Sequence, residues 1–103
     1  MAVVAVISIP GLRAEQYDAI IARMDVVARP SPEIYIHLCA QAEDGLRIVE
    51  LWDTEDGFRH FVAERMIPAA TELGIEAEPT ITIEPLHFLF APRLDAIRRV
   101  PLA

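Results

Sequence analysis

The sequence has few of the features that mark several large classes of protein. It has one cysteine, Cys39, among 103 residues, so no internal disulfide can form. The longest uninterrupted apolar run, residues 2–7, is far too short to cross a bilayer. The N-terminus has neither the charged region nor the cleavage pattern of a secretory signal. These absences predict a cytoplasmic protein.

Positive charge is also scarce. Nine basic residues stand against 16 acidic ones, giving a formal net charge of −7 and a pI near 4.8. Nucleic acid and anionic membrane surfaces are therefore excluded as partners, whereas neutral or cationic molecules stay open. No glycine-rich phosphate loop, dinucleotide fingerprint, serine elbow or paired-cysteine site is present. We therefore expect no cofactor.

What is present is enough for one domain. With 53% apolar residues, a chain of this length can build a single core but no second domain. We assign residues 1–91 to the domain and residues 92–103 to a basic and apolar tail with one helical turn.

The stretch from residue 33 to residue 53 reads as two alternating strands joined by a turn. Asp44 and Gly45 form an Asp-Gly pair between two alternating runs, which is a strong hairpin signal. If these two residues form the turn, His37 lies opposite Trp52 and Cys39 lies opposite Glu50. This pairing separates the side chains into two consistent faces, which supports the register.

The two faces of this hairpin differ in character. One is aliphatic and is expected to lie under helices; it carries Ile34, Ile36, Leu38, Ala40, Val49 and Leu51. The other mixes aromatic, polar and aliphatic groups, as a small-molecule pocket does; it carries Tyr35, His37, Cys39, Gln41, Ile48, Glu50 and Trp52.

The remaining elements complete a recognisable order. Residues 2–9 predict a central strand, and residues 13–27 predict an amphipathic helix. A second helix is expected to begin at Asp53 or Thr54, to be kinked by Pro68 and to stop at Gly74. Its predicted buried stripe is Phe58, Phe61, Val62, Met66, Ala69 and Leu73. Residues 79–90 predict a last strand, which Pro85 interrupts.

The resulting order β-α-β-β-α-β predicts an α+β, ferredoxin-like fold, with an antiparallel sheet and both helices on one face. The other face would then expose Trp52, Tyr35 and Ile48, which is more apolar surface than a soluble monomer normally shows. A second copy packed sheet against sheet around a two-fold axis is the simplest cover, so we expect a homodimer.

Five segments resemble the dimeric α+β barrel superfamily, in particular the small antibiotic-biosynthesis-monooxygenase-like proteins of bacteria. They are PGLRAEQYD (10–18), DGLRIVELWD (44–53), FRHF (58–61), ERMIPA (64–69) and PLH (85–87). The resemblance covers roughly residues 3–90 and implies the fold more strongly than an activity. The superfamily includes cofactor-free oxygenases, haem-degrading enzymes, isomerases and cyclases. The haem-degrading branch relies on an Asn, Trp and His set, and this chain has no asparagine.

Three residues are candidates for catalysis: His37, Glu50 and His87. His37 can act as a general base, or it is a hydrogen-bonded histidine beside an indole. Glu50 can orient a histidine or act as a base, or it pairs with an arginine such as Arg47. The resemblance places His87 towards the barrel, as a second imidazole or at the subunit contact. The same three residues could also surround a metal, although nothing in their spacing is diagnostic, so we predict no metal site.

Four further residues are candidates for substrate binding: Tyr35, Cys39, Ile48 and Trp52. Tyr35 and Trp52 are interpreted as walls of the pocket, and catalysis by the Tyr35 hydroxyl is the lesser alternative. Cys39 reads as a small buried residue rather than a nucleophile, because no cation near it would lower its pKa. His60, on the second helix, is expected to face solvent.

These residues predict acid-base chemistry on an apolar, aromatic substrate. The resemblance implies that such an enzyme is cofactor-independent, acts on an aromatic or polyketide-like substrate, and is a monooxygenase, a cyclase or an isomerase. The alternative is a non-catalytic ligand-binding or structural dimeric module.

Overall fold

The computed structural model describes residues 1–102. Four strands and two helical segments form the domain, and the second helical segment is a continuous run of an α-helix, a π-helical turn and another α-helix. A 3₁₀ helix, Leu94–Arg99, lies beyond the domain. In chain order the elements are β1 (Val3–Pro10), α1 (Ala14–Met24), β2 (Ile34–Ala42), β3 (Gly45–Trp52), α2 (Glu55–Phe61), a π-helical turn (Val62–Met66), α3 (Ile67–Glu72) and β4 (Thr80–Pro85).

The strands form one antiparallel sheet in the order β2-β3-β1-β4. This order, with a helical connection after β1 and another after β3, is the ferredoxin-like fold that the sequence predicts. The central position of β1 is also confirmed. No helix in the described part of the chain is long and apolar enough to span a bilayer.

The hairpin register differs from the predicted one by two residues. Ala42 pairs with Gly45, so Glu43 and Asp44 form the turn, and His37 lies opposite Glu50. Gly45 lies outside the turn, and glycine is required there by the neighbouring strand. A Cβ at this position would lie 2.2 Å from the carbonyl oxygen of Ile9. The Asp-Gly pair therefore marks a close approach of two strands. Because the shift is even, the side chains of residues 36–42 and 45–51 keep their predicted sets of neighbours, whereas Ile34, before a bulge, pairs with Trp52 and joins the mixed face.

The predicted orientation of the hairpin faces is wrong. Ile48, Glu50 and Trp52 are buried under the helices, whereas Leu38 and Val49 are exposed. The mixed face is the buried one because its indole packs on two aromatic rings, with centroids 5.8 Å (Phe58) and 5.4 Å (Phe61) away, and because its polar atoms bond to one another. The aliphatic face is the open one.

A β-bulge near the start of β2 separates Tyr35 from the other members of its predicted face. Ile34 pairs with Trp52 and Ile36 pairs with Leu51, so Tyr35 is the extra residue of the bulge. Its side chain is exposed, and its hydroxyl donates to the Asp53 carboxylate. That hydrogen bond raises the pKa of Tyr35.

Both helices begin as predicted; the first ends earlier than predicted, and the second ends at the predicted glycine. Thr54 caps α2, since its hydroxyl accepts from the amide of Gly57 at 2.9 Å. The irregular π-helical turn precedes Pro68, in line with the expected kink, and Gly74 has the positive φ of a helix stop. Val27, the last residue of the predicted first helix, is exposed beyond the observed end of α1 at Met24. Leu73, predicted to be buried, is exposed after the end of α3 at Glu72.

The last strand is shorter than predicted, because it ends at Pro85. The irregular segment after it exposes Phe88, Leu89 and Phe90. The predicted helical turn of the tail corresponds to the 3₁₀ helix, and Ala103 lies outside the described residues.

Candidate active site

A cavity of about 310 Å³ lies between the sheet and the helices of a single chain. Its wall is mostly aliphatic and aromatic, and a few polar groups converge at one part of it, which is the usual composition of a small-molecule site. The lining residues are Ile7, Ile9, Leu12, Tyr17, Ile20, Ile21, Met24, Val26, Pro30, Ser31, Ile34, Tyr35, Ile36, His37, Ile48, Glu50, Phe58, Phe61, Val62 and Met66.

Glu50 is the buried acidic residue of this cavity. Only 5% of its surface is exposed, and both of its carboxylate oxygens are hydrogen-bonded within the protein. The indole N–H of Trp52 donates to Oε1 at 2.9 Å, and Nδ1 of His37 lies 2.5 Å from Oε2. A buried carboxylate needs such partners to remain ionised. The two bonds therefore compensate the carboxylate for its burial and fix its orientation.

The other ring nitrogen of His37 is bonded to Tyr17. The Tyr17 hydroxyl lies 2.6 Å from Nε2, and the two rings stack at a centroid distance of 6.0 Å. When Glu50 is ionised and the imidazole is neutral, Nδ1 carries the proton and donates to the carboxylate. Nε2 then holds the free lone pair and accepts from the Tyr17 hydroxyl. The result is a continuous hydrogen-bonded chain from Trp52 through Glu50 and His37 to Tyr17, hereafter the polar chain.

Burial raises the pKa of Tyr17, and the neighbouring Cys39 thiol adds to the rise. The phenol therefore stays protonated and can act as a hydrogen-bond donor. Desolvation likewise raises the pKa of the Cys39 thiol. Cys39 therefore lacks the low pKa of a nucleophilic cysteine, as the sequence predicts, although it is exposed at the sheet edge rather than buried.

Three different elements position the polar chain. Glu50 lies on β3, flanked by β1 and β2, and His37 lies directly opposite it on the edge strand β2. Tyr17 reaches them from α1, which packs over the same face. Tyr17 is not among the site residues predicted from the sequence, because it lies on the apolar stripe of its helix and is typical of a core residue there. A hydroxyl on a buried stripe requires a polar partner, and that requirement is the signal that could have identified it.

The structure brings together some of the predicted site residues. His37, Glu50, Ile48 and Tyr35 line the cavity. Trp52 does not, because its side chain is fully buried in the core behind Glu50, and Cys39 does not, because it lies at the exposed edge of the sheet.

His87 lies apart from His37 and Glu50. It follows β4, at the opposite edge of the sheet from β2, and it is exposed. His60 is exposed on α2, as expected. Within residues 1–102 no group of three His, Cys, Asp or Glu side chains is placed to hold a metal ion. One chain therefore does not assemble the alternative metal set of His37, Glu50 and His87.

No protein-family model matches the sequence, and no curated protein matches it either. Solved structures do match. A mutant of SnoaB, a cofactor-independent oxygenase from Streptomyces nogalater, is 17% identical, with a TM-score of 0.63 over 85% of this chain and 95% of SnoaB.

Two further structures are similar. A dimeric ferredoxin-like protein of unknown function from Thermobifida fusca is 15% identical, with a TM-score of 0.60 over 84% of this chain and 92% of that protein. A putative antibiotic biosynthesis monooxygenase from Deinococcus radiodurans is 16% identical, with a TM-score of 0.57 over 88% of this chain and 97% of that protein.

The protein thus has the ferredoxin-like α+β fold of the antibiotic-biosynthesis-monooxygenase-like proteins. The resemblance inferred from the sequence is confirmed at the level of the fold. A shared fold does not establish a shared reaction, so function has to be argued from the residues of the cavity.

Proposed function

We propose that the protein is an enzyme that carries out acid-base chemistry on a small, largely apolar and aromatic substrate, without a bound cofactor. The observation that supports this most is the polar chain, in which the carboxylate of Glu50 holds an imidazole whose second nitrogen is at the wall of an apolar cavity. Orientation of a base by a buried carboxylate recurs in catalytic sites, because it fixes the tautomer and stabilises the imidazolium that forms.

In the proposed reaction, Nε2 of His37 takes a proton from a phenol or an activated carbon of the substrate. The negative charge of Glu50 stabilises the imidazolium. The Tyr17 hydroxyl, displaced from Nε2, donates to the substrate oxygen, where negative charge develops. Tyr17 is the proposed donor rather than His87 or Tyr35, because His87 lies away from the cavity and the Tyr35 hydroxyl is bonded to Asp53.

The delocalised anion formed in this way would react further by its own chemistry. With dioxygen as co-substrate it would be oxygenated, and without dioxygen it would cyclise or isomerise. The similarity in fold to SnoaB, which is named as a cofactor-independent oxygenase, supports the first route.

The test is turnover of a panel of uncharged hydroxylated one- to three-ring aromatics, followed by oxygen consumption and by product absorbance. His37→Ala should lower turnover by roughly 10²- to 10⁴-fold, as expected for a lost general base. His60→Ala, which changes an exposed histidine on α2, is the matched control and should leave turnover unchanged.

The outcomes separate the candidate functions. Product formation with oxygen uptake supports a monooxygenase, and product formation without it supports a cyclase or isomerase. Equal turnover in wild type and His37→Ala would contradict the assignment of the base. If no compound of the panel is converted, the proposal of an enzyme fails in favour of a ligand-binding or structural module.

We also propose that the protein is a homodimer formed through the open face of the sheet. The exposed apolar residues of that face, Leu38 and Val49, are cross-strand partners, and Val4, Val6 and Leu51 lie beside them. A contiguous apolar face of this kind is typical of a protein interface. The contact differs from the one expected from the sequence, because the mixed face is already covered by the protein's own helices.

A further inference from the structure

We infer that the cavity selects ligands without negative charge, so that a carboxylated or phosphorylated aromatic is rejected and its neutral counterpart is bound. This inference rests on the proposed function only in taking the cavity as the place where the substrate binds. It concerns the charge of the ligand, which the fold does not determine.

The first observation is the absence of a cation in the cavity wall. Among the described residues that line it, none is an arginine or a lysine, and the titratable ones are Tyr17, Tyr35, His37 and Glu50. His37 becomes a cation on protonation, but its positive charge would then be paired with Glu50. An anionic group of a ligand would therefore find no free positive charge in the cavity.

Arg65 is a cation in contact with a residue of the wall, and its guanidinium is occupied. Arg65 lies over the ring of Phe61, at 5.3 Å from the centroid, but does not itself line the cavity. Two of its nitrogens donate to the backbone oxygens of Met24 and Arg29, each at 2.6 Å. Moving this side chain towards a ligand would leave two carbonyl oxygens without their donors.

The second observation is the negative charge already present. Glu50 places a carboxylate inside the site, and the whole chain has a formal charge of −7. An anionic ligand would lose its hydration, would gain no ion pair and would approach a like charge in a medium that screens weakly. A neutral phenol or ketone has no such penalty and can bond to Tyr17 and His37.

A cationic ligand is disfavoured for a different reason. Both oxygens of Glu50 are already engaged, by the indole of Trp52 and the imidazole of His37. A ligand cation would have to break one of these bonds to be paired. The wall therefore fits a neutral molecule best, and the volume of about 310 Å³ is near the lower end of the usual range for small-molecule sites.

The test compares two ligands that share one ring system and differ in charge and by one methyl group: 3-hydroxy-2-naphthoic acid, which is an anion at pH 7, and its methyl ester. Binding is measured by calorimetry and by the fluorescence of the single tryptophan, Trp52. We expect the ester to bind at least about tenfold more tightly than the acid, given the cost of an unpaired buried charge.

A charge placed in the wall should reverse this preference. Ile20 lines the cavity from α1 and is half-buried, so Ile20→Arg can supply the missing cation, and Ile20→Gln is the neutral control. The arginine variant should bind the acid more tightly than wild type does, whereas the glutamine variant should not. This pair also shows that the ligand occupies the cavity.

Two results would overturn the inference: equal or tighter binding of the acid by the wild-type protein, or binding of neither compound at millimolar concentration. Failure of the proposed function is recognised separately. If the ester binds selectively and no compound is turned over, the selectivity stands and the enzymatic proposal falls. If carboxylated compounds are the better substrates, the inference about ligand charge is contradicted and the proposal of an enzyme is supported.

Discussion

Glu50 is the residue on which the polar chain depends. It is buried on β3 between β1 and β2, and without its two donors it would be an uncompensated charge in the core. The indole of Trp52 therefore has two roles. Its ring fills the core against Phe58 and Phe61, and its N–H holds one oxygen of the carboxylate that orients His37.

These two roles of Trp52 can be separated by a double-mutant cycle. Trp52→Phe keeps an aromatic ring but removes the donor, so its effect on the free energy of unfolding should depend on the charge of residue 50. Combined with Glu50→Gln, it should show a coupling of about 0.5–3 kcal/mol, the range for residues in one hydrogen-bond network. The measurement is urea unfolding at pH 7.

Phe58→Leu combined with Glu50→Gln is the matched control. Phe58 packs on the indole, but its side chain has no hydrogen-bond donor for the carboxylate. Its coupling should be close to zero. Equal coupling in the two cycles would show that the indole stabilises the fold through packing alone.

At the scale of the elements, local signals predicted most of the fold. The order of the elements follows from the alternation of side chains in the strands, the Thr54 cap of α2 and the end of β4 at Pro85. Each of these signals depends on residues adjacent in the chain. The Asp-Gly pair correctly located the hairpin. Its register was misjudged by two residues, because Gly45 is small to accommodate Ile9 on another strand, which is a contact that the hairpin alone does not reveal.

The buried face of the hairpin could not be predicted from the strands themselves. The aliphatic face has fewer polar atoms, so it is the natural choice for the core when each strand is considered alone. Burial of the mixed face becomes favourable only because the partners of Glu50 and His37 come from different elements, including Tyr17 on α1. The sequence predicts that Glu50 can orient a histidine. The hydrogen bond between Tyr17 and His37 is visible only in the three-dimensional structure.

At the scale of the whole molecule, the open face of the sheet is the feature that calls for a second copy. Sedimentation equilibrium at micromolar concentration should give twice the chain mass of 11.5 kDa. Leu38→Glu should shift the protein to the monomer, because it places a charge on a residue that is 55% exposed in the single chain and buried in the proposed contact.

Val27→Glu is the control for this experiment. It introduces the same charge at an exposed apolar residue beyond the end of α1, away from the sheet face, and should leave the mass unchanged. A wild-type protein that sediments as a monomer, or a Leu38→Glu variant that remains a dimer, would contradict the proposed contact.

In the proposed site Glu50 holds His37 with its proton on Nδ1, so that Nε2 is the basic atom at the cavity. The most direct test is the tautomer of His37, read from the ¹⁵N chemical shifts of its ring in the neutral form. The exposed His60 and His87, the other two of the chain's three histidines, are internal references. We predict that Nδ1 of His37 is protonated and Nε2 is not, that Tyr17→Phe preserves this state, and that Glu50→Gln weakens the preference. A neutral His37 with its proton on Nε2 in the wild-type protein would contradict the account.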